Sequence, residues 1–356
     1  MENSEILNEV KRITGKPLRC MVPFTQLQLF ADGNAYGCCP SLVNKYSFGN
    51  LLEKDYEEIW HGEKANEFRQ SVLDGSYKFC NLASCVSLNC LQSDSKYNSS
   101  DEEWEKVIRR KNPKEVHLNI DVACNVCCVT CRDKYWTMPE ADEYAKIIDT
   151  KILPLLQDAE MVYLNGTGEL FASKLCRNLV KKITSQFPKI RFNIITNGIL
   201  ADEKNLTELG LINRINSVEV SVHASTKETY DKIVKGGNFD RLMENLKYLS
   251  ELKKQGAINF IWLNFVVTVY NYKELIDFQK FADKLDVNTR IWEYRIWGNA
   301  SLDKHYDEVA VFEPNHPEYP EFVKIISNKI FENPNCDINN KLRPLSQSGD
   351  KVVQGV

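Results

Sequence analysis

Ten of the twelve cysteines in this chain fall into two tight groups, and no other feature limits its fold as strongly. The first group is Cys20, Cys38, Cys39, Cys80, Cys85 and Cys90, and the second is Cys124, Cys127, Cys128 and Cys131. Cys176 and Cys336 stand apart. The opening residues Met1-Glu2-Asn3-Ser4-Glu5 are acidic and lack the apolar core of a secretory signal. No apolar run approaches the ~18 residues that a membrane-spanning helix needs. The expectation is a cytoplasmic protein with no membrane partner, in which clustered thiols bind metal rather than form disulfides. A net charge of −4 offers no basic groove, so nucleic acid is not expected as a partner.

From about residue 114 the pattern alternates between strand and helix. Residues 115–121 alternate apolar and polar with period two, and strand-like runs recur at 161–165, 190–196, 218–222, 258–268 and 289–297. Helix signals lie between them. Thr137-Met138-Pro139-Glu140 and Ser225-Thr226-Lys227-Glu228 read as capping boxes, and Phe239, Leu242, Leu246 and Leu249 share a helical face. Six strand–helix steps predict an α/β fold, a partial (β/α)6 TIM-like barrel. The first ~110 residues lack this rhythm and hold too little apolar sequence for a large core of their own, which points to metal as the missing stabiliser. The expected organisation is a small metal-binding domain at 1–110, the barrel at 111–300 and a C-terminal extension at 301–356, with a polar boundary near 100–113.

Directly after the first barrel strand comes Cys124-Asn125-Val126-Cys127-Cys128-Val129-Thr130-Cys131. It reads either as Cys124-x3-Cys128-x2-Cys131 or as Cys124-x2-Cys127-x3-Cys131. Three thiolates on a short loop can hold three irons of a four-iron cluster and leave the fourth open to a small molecule. Structural zinc is the alternative, but zinc sites usually separate their cysteine pairs by a longer stretch.

The x3–x2 spacing in this position resembles the signature of the radical S-adenosylmethionine (SAM) superfamily, and later strand ends follow suit. Asn165-Gly166-Thr167-Gly168-Glu169 is similar to the segment that holds the methionyl amino group of SAM. Thr196-Asn197-Gly198 and Ser221-Val222-His223 fall at the ends of the third and fourth barrel strands, and residues 225–240 resemble the segment that follows the fourth. The resemblance implies a SAM-binding 4Fe-4S cluster on Cys124, Cys128 and Cys131. It also implies SAM contacts from Gly166, Thr167, Gly168, Glu169, Thr196, Asn197, Ser221 and His223. It departs from the pattern at Thr130, where the family usually has an aromatic residue beside adenine. Read alone, Gly166 and Gly168 are turn glycines, Glu169 is an exposed carboxylate at a helix start, and His223 is a packed histidine.

The N-terminal order of Cys20, Gly33, Cys38, Gly49-Asn50, Trp60, Phe68, Cys80, Cys85 and Cys90 resembles the SPASM/twitch module of radical SAM enzymes, placed before the barrel instead of after it. It implies a second, auxiliary 4Fe-4S cluster, with Cys20, Cys38, Cys80 and Cys85 as ligands and Cys39 and Cys90 as possible substitutes. Zinc is again the alternative. Trp60 and Phe68 read as core.

Together these features predict an enzyme that reductively cleaves SAM to a 5′-deoxyadenosyl radical and abstracts hydrogen from a substrate. The auxiliary cluster would assist oxidation or epimerisation of a carbohydrate-like small molecule or a peptide side chain. An electron donor such as flavodoxin or ferredoxin is the expected partner. Tyr135, Trp136 and residues 292–297 are candidates for the cavity wall. A non-catalytic iron–sulfur or zinc-binding protein is the competing reading. Cys336 reads as an incidental thiol of the C-terminal tail, and Cys176 as core.

Overall fold

Alternating segments of the kind just described assemble into one ten-stranded sheet in the computed structural model. It describes residues 3–40, 43, 45–85, 100–138, 141–164, 167–296, 298–339 and 342. The strands are β1 (Gln26–Phe30), β2 (Asn34–Tyr36), β3 (Gly49–Asn50), β4 (Glu115–Asn119), β5 (Cys127–Cys128), β6 (Met161–Leu164), β7 (Arg191–Thr196), β8 (Ile215–Ser221), β9 (Val234–Lys235), β10 (Ile258–Val267), β11 (Asn288–Glu293) and β12 (Cys336–Ile338). The large sheet runs β12-β11-β10-β8-β7-β6-β4-β1-β2-β3, while β5 and β9 form a separate pair.

The six barrel strands expected from the sequence are β4, β6, β7, β8, β10 and β11. They lie parallel and in chain order. Parallel neighbours need a crossover, and helices supply it between successive strands, including Lys174–Gln186, Phe239–Lys254 and Leu275–Leu285. Among the described residues the two ends of the row do not pair with each other, so the sheet is an open arc, a partial TIM-like barrel.

Two strands extend this arc beyond the six. β1 pairs in parallel with β4 from Gln26↔Glu115 to Phe30↔Asn119. β12 adds to β11 through Thr289↔Cys336 and Ile291↔Ile338. Cys336 therefore sits buried in a strand, where the sequence suggested a tail. A helix over Asn3–Thr14, which the sequence reading passed over, buries Ile6 and Val10 in the same hydrophobic core as Trp60, Phe68 and the barrel strands.

Local starts differ from the sequence pattern in instructive ways. The helix after β6 begins at Lys174 instead of near Phe171, because Ser173 accepts the Cys176 N–H at 2.9 Å. The helix after β8 is capped by Thr226, whose hydroxyl accepts from the Thr229 N–H. Ser225 instead gives its N–H to Glu274. Pro139 and Glu140 of the other expected capping box lie outside the described residues. The last barrel strand ends at Glu293, before the aromatic run is complete, and Trp297 lies outside the described residues.

The register separates two faces of the arc. Phe265 packs at a tilt against Phe278 with ring centroids 4.8 Å apart, and the Thr289 hydroxyl donates to Gln279 at 2.6 Å, so these strand residues face the helices. Their strand neighbours face the lumen. Arg290 pairs with Glu219 at 2.8 Å and lies over the Trp262 ring, while Asn264 donates to Glu219 at 3.2 Å. In β11 it is therefore Arg290 and Trp292 that share the lumen face, and Glu293 falls on the helix face with Thr289 and Ile291.

Candidate active site

Chemistry-bearing residues gather at the C-terminal ends of the parallel strands, where barrels of this kind place their sites. Beyond β4, Asp121 is buried and its carboxylate accepts from the Ala123 N–H at 2.8 Å and from the Ser173 hydroxyl. This fixes the root of the cysteine loop. The loop is then held from above: Cys127 and Cys128 form β5 against Lys235 and Val234 of β9, and the Val129 N–H reaches Ile233 at 2.9 Å. A tight turn closes it, with the Cys131 and Arg132 N–H groups both donating to the Cys128 carbonyl.

Within this loop the thiols are not equivalent. Cys128 is pushed far above the ordinary thiol range by burial, then by the neighbouring Cys131 and Cys124. Cys124 is raised by burial too, and the Asn197 amide donates to its sulfur at 3.8 Å. Cys127 points its thiol at the Arg132 carbonyl, 3.7 Å away. Cys127 thus engages its own loop's backbone, whereas Asn197 reaches the Cys124 sulfur and Arg132 the Cys131 sulfur.

The segment after β6 packs against the cysteine loop at backbone distance. A Cβ on Gly168 would lie 2.5 Å from the Ala123 carbonyl oxygen and 2.7 Å from that of Asp121, so only glycine fits there. Gly166 and Asn165 lie outside the described residues. The Thr167 hydroxyl donates to Asp121 O at 3.0 Å. Glu169 is 2% exposed, not the exposed carboxylate that the residue alone suggested. It accepts from the Thr196 hydroxyl and the Asn197 N–H, both at 2.7 Å, and from the Phe171 N–H at 3.3 Å. Burial raises its pKa and these three donors oppose the rise. A carboxylate offers about four acceptor sites, so one remains for a cationic group.

Thr196 and Asn197 are thereby tied to Glu169, and the turn at Gly198 has φ +76°. Asn245, from the helix over Phe239–Lys254, donates to the Gly198 and Ile199 carbonyls at 2.8 and 2.9 Å. Ser221 closes β8 in register with Asn264. His223, two residues on, holds a left-handed φ of +62°, rare for a residue with a side chain. Its Nδ1 accepts from the Val266 N–H at 3.2 Å, which leaves the proton on Nε2, and burial lowers its pKa to about 4. Thr130 is buried, Tyr135 is exposed, and Trp136 lies under the Arg132 guanidinium at 4.6 Å.

The N-terminal thiols gather elsewhere. Cys20, Cys38, Cys80 and Cys85 line one largely apolar cavity together with Leu18, Pro23, Phe68 and Tyr77. Burial drives the Cys38 thiol far upward, helped by Cys20 and Cys85, and burial with Cys38 and Cys85 pushes Cys80 up to about 12. Asn3 latches this corner by donating to the Cys80 carbonyl at 2.8 Å. Cys39 is half-buried and does not line the cavity, and Cys90 lies outside the described residues. The two thiol groups occupy opposite ends of the sheet. Cys20 and Pro23 precede β1, which is parallel to β4, and antiparallel β2 returns Cys38 to that same end.

The donor chemistry at both places suits iron–sulfur clusters: soft thiols in groups of three and four, enclosed by apolar or hydrogen-bonded walls. Among the described residues no three His, Cys, Asp or Glu side chains are grouped closely enough to hold a metal ion. The four N-terminal thiols instead border a cavity, which suits a multi-iron cluster better than one tetrahedral zinc.

Sequence reasoning missed several residues of this region. Asp121 and Asn245 act through hydrogen bonds that no spacing signals. Arg132 directly follows the last cysteine of the loop, and Glu219 interrupts an apolar strand between Val218 and Val220. Those two positions were the available clues.

Residues 119–282 match the radical SAM superfamily, and residues 20–86 match the SPASM iron–sulfur cluster-binding domain. The chain is a radical SAM protein, with its SPASM domain ahead of the radical SAM domain. It binds a 4Fe-4S cluster and SAM through the one, and further iron–sulfur through the other. Among curated relatives, it is 28% identical over 187 residues to the tungsten-containing aldehyde ferredoxin oxidoreductase cofactor-modifying protein of Pyrococcus furiosus, covering 50% of each chain. It is 26% identical to the GTP 3′,8-cyclase of Limosilactobacillus fermentum, covering 55% of this chain and 58% of that protein. The chain thus spans between half and three fifths of these relatives' length. SAM-bound SuiB of Streptococcus suis overlays 79% of this chain and 62% of its own, with a TM-score of 0.46 and 19% identity. Among the described residues no helix is long and apolar enough to cross a membrane.

Proposed function

We propose that this protein is a radical SAM enzyme acting by hydrogen-atom abstraction on a polar substrate, a carbohydrate-like small molecule or a peptide side chain. One observation carries this reading: the loop of Cys124, Cys128 and Cys131 packs directly against the Gly168–Glu169 segment, and Asn197 of the turn tied to Glu169 reaches the Cys124 sulfur. These three cysteines would hold three irons. When bound, the cluster and SAM supply a one-electron cleavage that yields a 5′-deoxyadenosyl radical.

The chain's own residues position and enclose that chemistry. Glu169, anchored by Thr196 and Asn197, offers its remaining acceptor site to the methionyl amino group. Thr167, Gly168, Ser221 and His223 supply the neighbouring contacts, with Gly166 completing the segment in sequence. His223 is a donor through Nε2–H at any pH above about 4. The lumen wall of Glu219, Arg290, Asn264, Trp262 and Trp292 combines charged, amide and aromatic groups, and the buried Oδ1 of Asn264 has no hydrogen-bond partner among the described residues. Such a wall suits a substrate rich in hydroxyl or amide donors.

Cys20, Cys38, Cys80 and Cys85 are proposed as ligands of an auxiliary four-iron cluster, with Cys90 or Cys39 as substitutes. A flavodoxin- or ferredoxin-type donor would supply electrons. Whether the outcome is oxidation or epimerisation turns on where the substrate's electron goes.

The test is anaerobic reconstitution followed by SAM cleavage with dithionite. Wild type should hold about eight irons per chain, two four-iron clusters, and release 5′-deoxyadenosine. Cys128→Ala should abolish release and keep about four irons. Zinc without iron would establish the competing reading, a non-catalytic metal-binding protein.

A further inference from the structure

Arg132 is a buried cation without a carboxylate. Its residue is 3% exposed, and among the described residues it forms no ion pair. Its guanidinium donates to the Val122 carbonyl at 2.8 Å and the Thr167 carbonyl at 2.7 Å, and to the Cys131 sulfur at 3.7 Å. The Trp136 ring covers it at 4.6 Å. Enclosing a charge this way is costly unless an opposite charge comes to meet it. The anions at hand are the thiolates of the adjoining loop once they ligate iron, and the guanidinium already reaches the Cys131 sulfur.

We infer that Arg132 is the counter-charge and clamp of the three-cysteine cluster site, setting the reduction potential there and joining that loop to the segment that grips SAM. This rests on the proposed ligand assignment. An N–H···S bond and a nearby positive charge withdraw electron density from a ligand sulfur, and both raise the potential of a thiolate-held cluster. The rigid fork matters separately. One side of it reaches Val122, at the root of the cysteine loop, and the other reaches Thr167, beside Gly168 and Glu169. A lysine ammonium would keep the charge but not this planar, three-way reach. Arg132 touches neither substrate nor reacting atoms, so it is a positioning residue.

The experiment is an EPR-monitored redox titration of reconstituted full-length protein, with SAM affinity measured alongside, for wild type, Arg132→Gln and Arg132→Lys. Arg132→Gln should move the midpoint potential of the SAM-responsive cluster to more negative values and weaken SAM binding about 10–100-fold, the usual cost of losing an outer-shell partner. Arg132→Lys should keep a potential closer to wild type while losing SAM affinity as Gln does. A Gln variant with full iron, wild-type potential and wild-type SAM affinity would overturn the inference. Should the Gln protein fold yet retain only the auxiliary iron, the counter-charge role is supported. Should it not fold, Lys decides: unchanged SAM affinity overturns the clamp. Failure of wild type to show any SAM-responsive cluster would instead defeat the ligand assignment itself.

Discussion

His223 shows how much a single backbone angle can say. A β-carbon at φ +62° costs energy that only surrounding structure can hold in place, and here three contacts do so. Val266 donates to Nδ1, and Asn271 donates to the His223 and Val266 carbonyls at 2.9 Å each. Burial depresses the imidazole to about 4. In the unfolded chain it takes a proton near pH 6.5, so the unfolded state binds more protons between these values. Its contribution to stability is therefore complete above about pH 6.5 and is lost as pH falls through 4. At pH 5 the loss should reach about 2 kcal/mol, from 1.36 kcal/mol per pH unit. His223→Asn tolerates the left-handed angle and does not titrate. Urea midpoints at pH 7.5 and 5.0 should thus diverge less in this variant than in wild type. Equal divergence would mean that the imidazole is not held neutral by the fold.

At the scale of elements, the cysteine loop depends on a two-residue strand pair that is easily broken. β9 pairs Val234 and Lys235 with Cys128 and Cys127, and the following Gly236, at φ +78°, holds a left-handed angle that a side chain would strain. Lys235→Pro removes an N–H from this ladder and stiffens the segment. The expected result is a folded protein that keeps its auxiliary iron but loses iron at the barrel site, so iron falls from about eight to about four per chain. Full retention would show that the pairing is dispensable. The sequence made the six barrel strands visible because period-two alternation marks a strand with one packed face and one polar face. It also exposed the thiols of both sites, since cysteine spacing survives without tertiary knowledge. It did not reveal β9, β12 or the helix over Asn3–Thr14. The two strands are too short for periodicity, and that helix is mostly polar with only Ile6 and Val10 buried. Nor did it predict that Trp292 and Arg290, not Glu293, face the lumen, because an alternating strand does not disclose which of its faces is which.

For the whole molecule, the decisive fact is that the two thiol groups sit at opposite ends of the same parallel strands. β1 spans five residues, or roughly 17 Å at the usual rise, and β4 runs beside it in register from the N-terminal module's end to the cysteine loop. A small substrate held over the loop would stand about a strand's length from the proposed cluster on Cys20, Cys38, Cys80 and Cys85. For such a substrate the auxiliary group is proposed to act through electrons or through stability, not by direct contact. Each role leaves a different mark on Cys85→Ala. If the auxiliary cluster serves electron transfer, the variant should fold with a near-normal melting temperature, hold about four irons, cleave SAM with dithionite as reductant, and yet form little product. If the cluster mainly braces the fold, melting should drop and SAM cleavage should fall with it, because β1 carries that corner straight into the barrel sheet. Structural metal commonly supplies the folding energy of small modules, and this corner has one core with the barrel, so the loss would spread. Melting temperature and SAM cleavage measured on the same preparation separate these outcomes. Unimpaired product formation would remove the auxiliary assignment altogether.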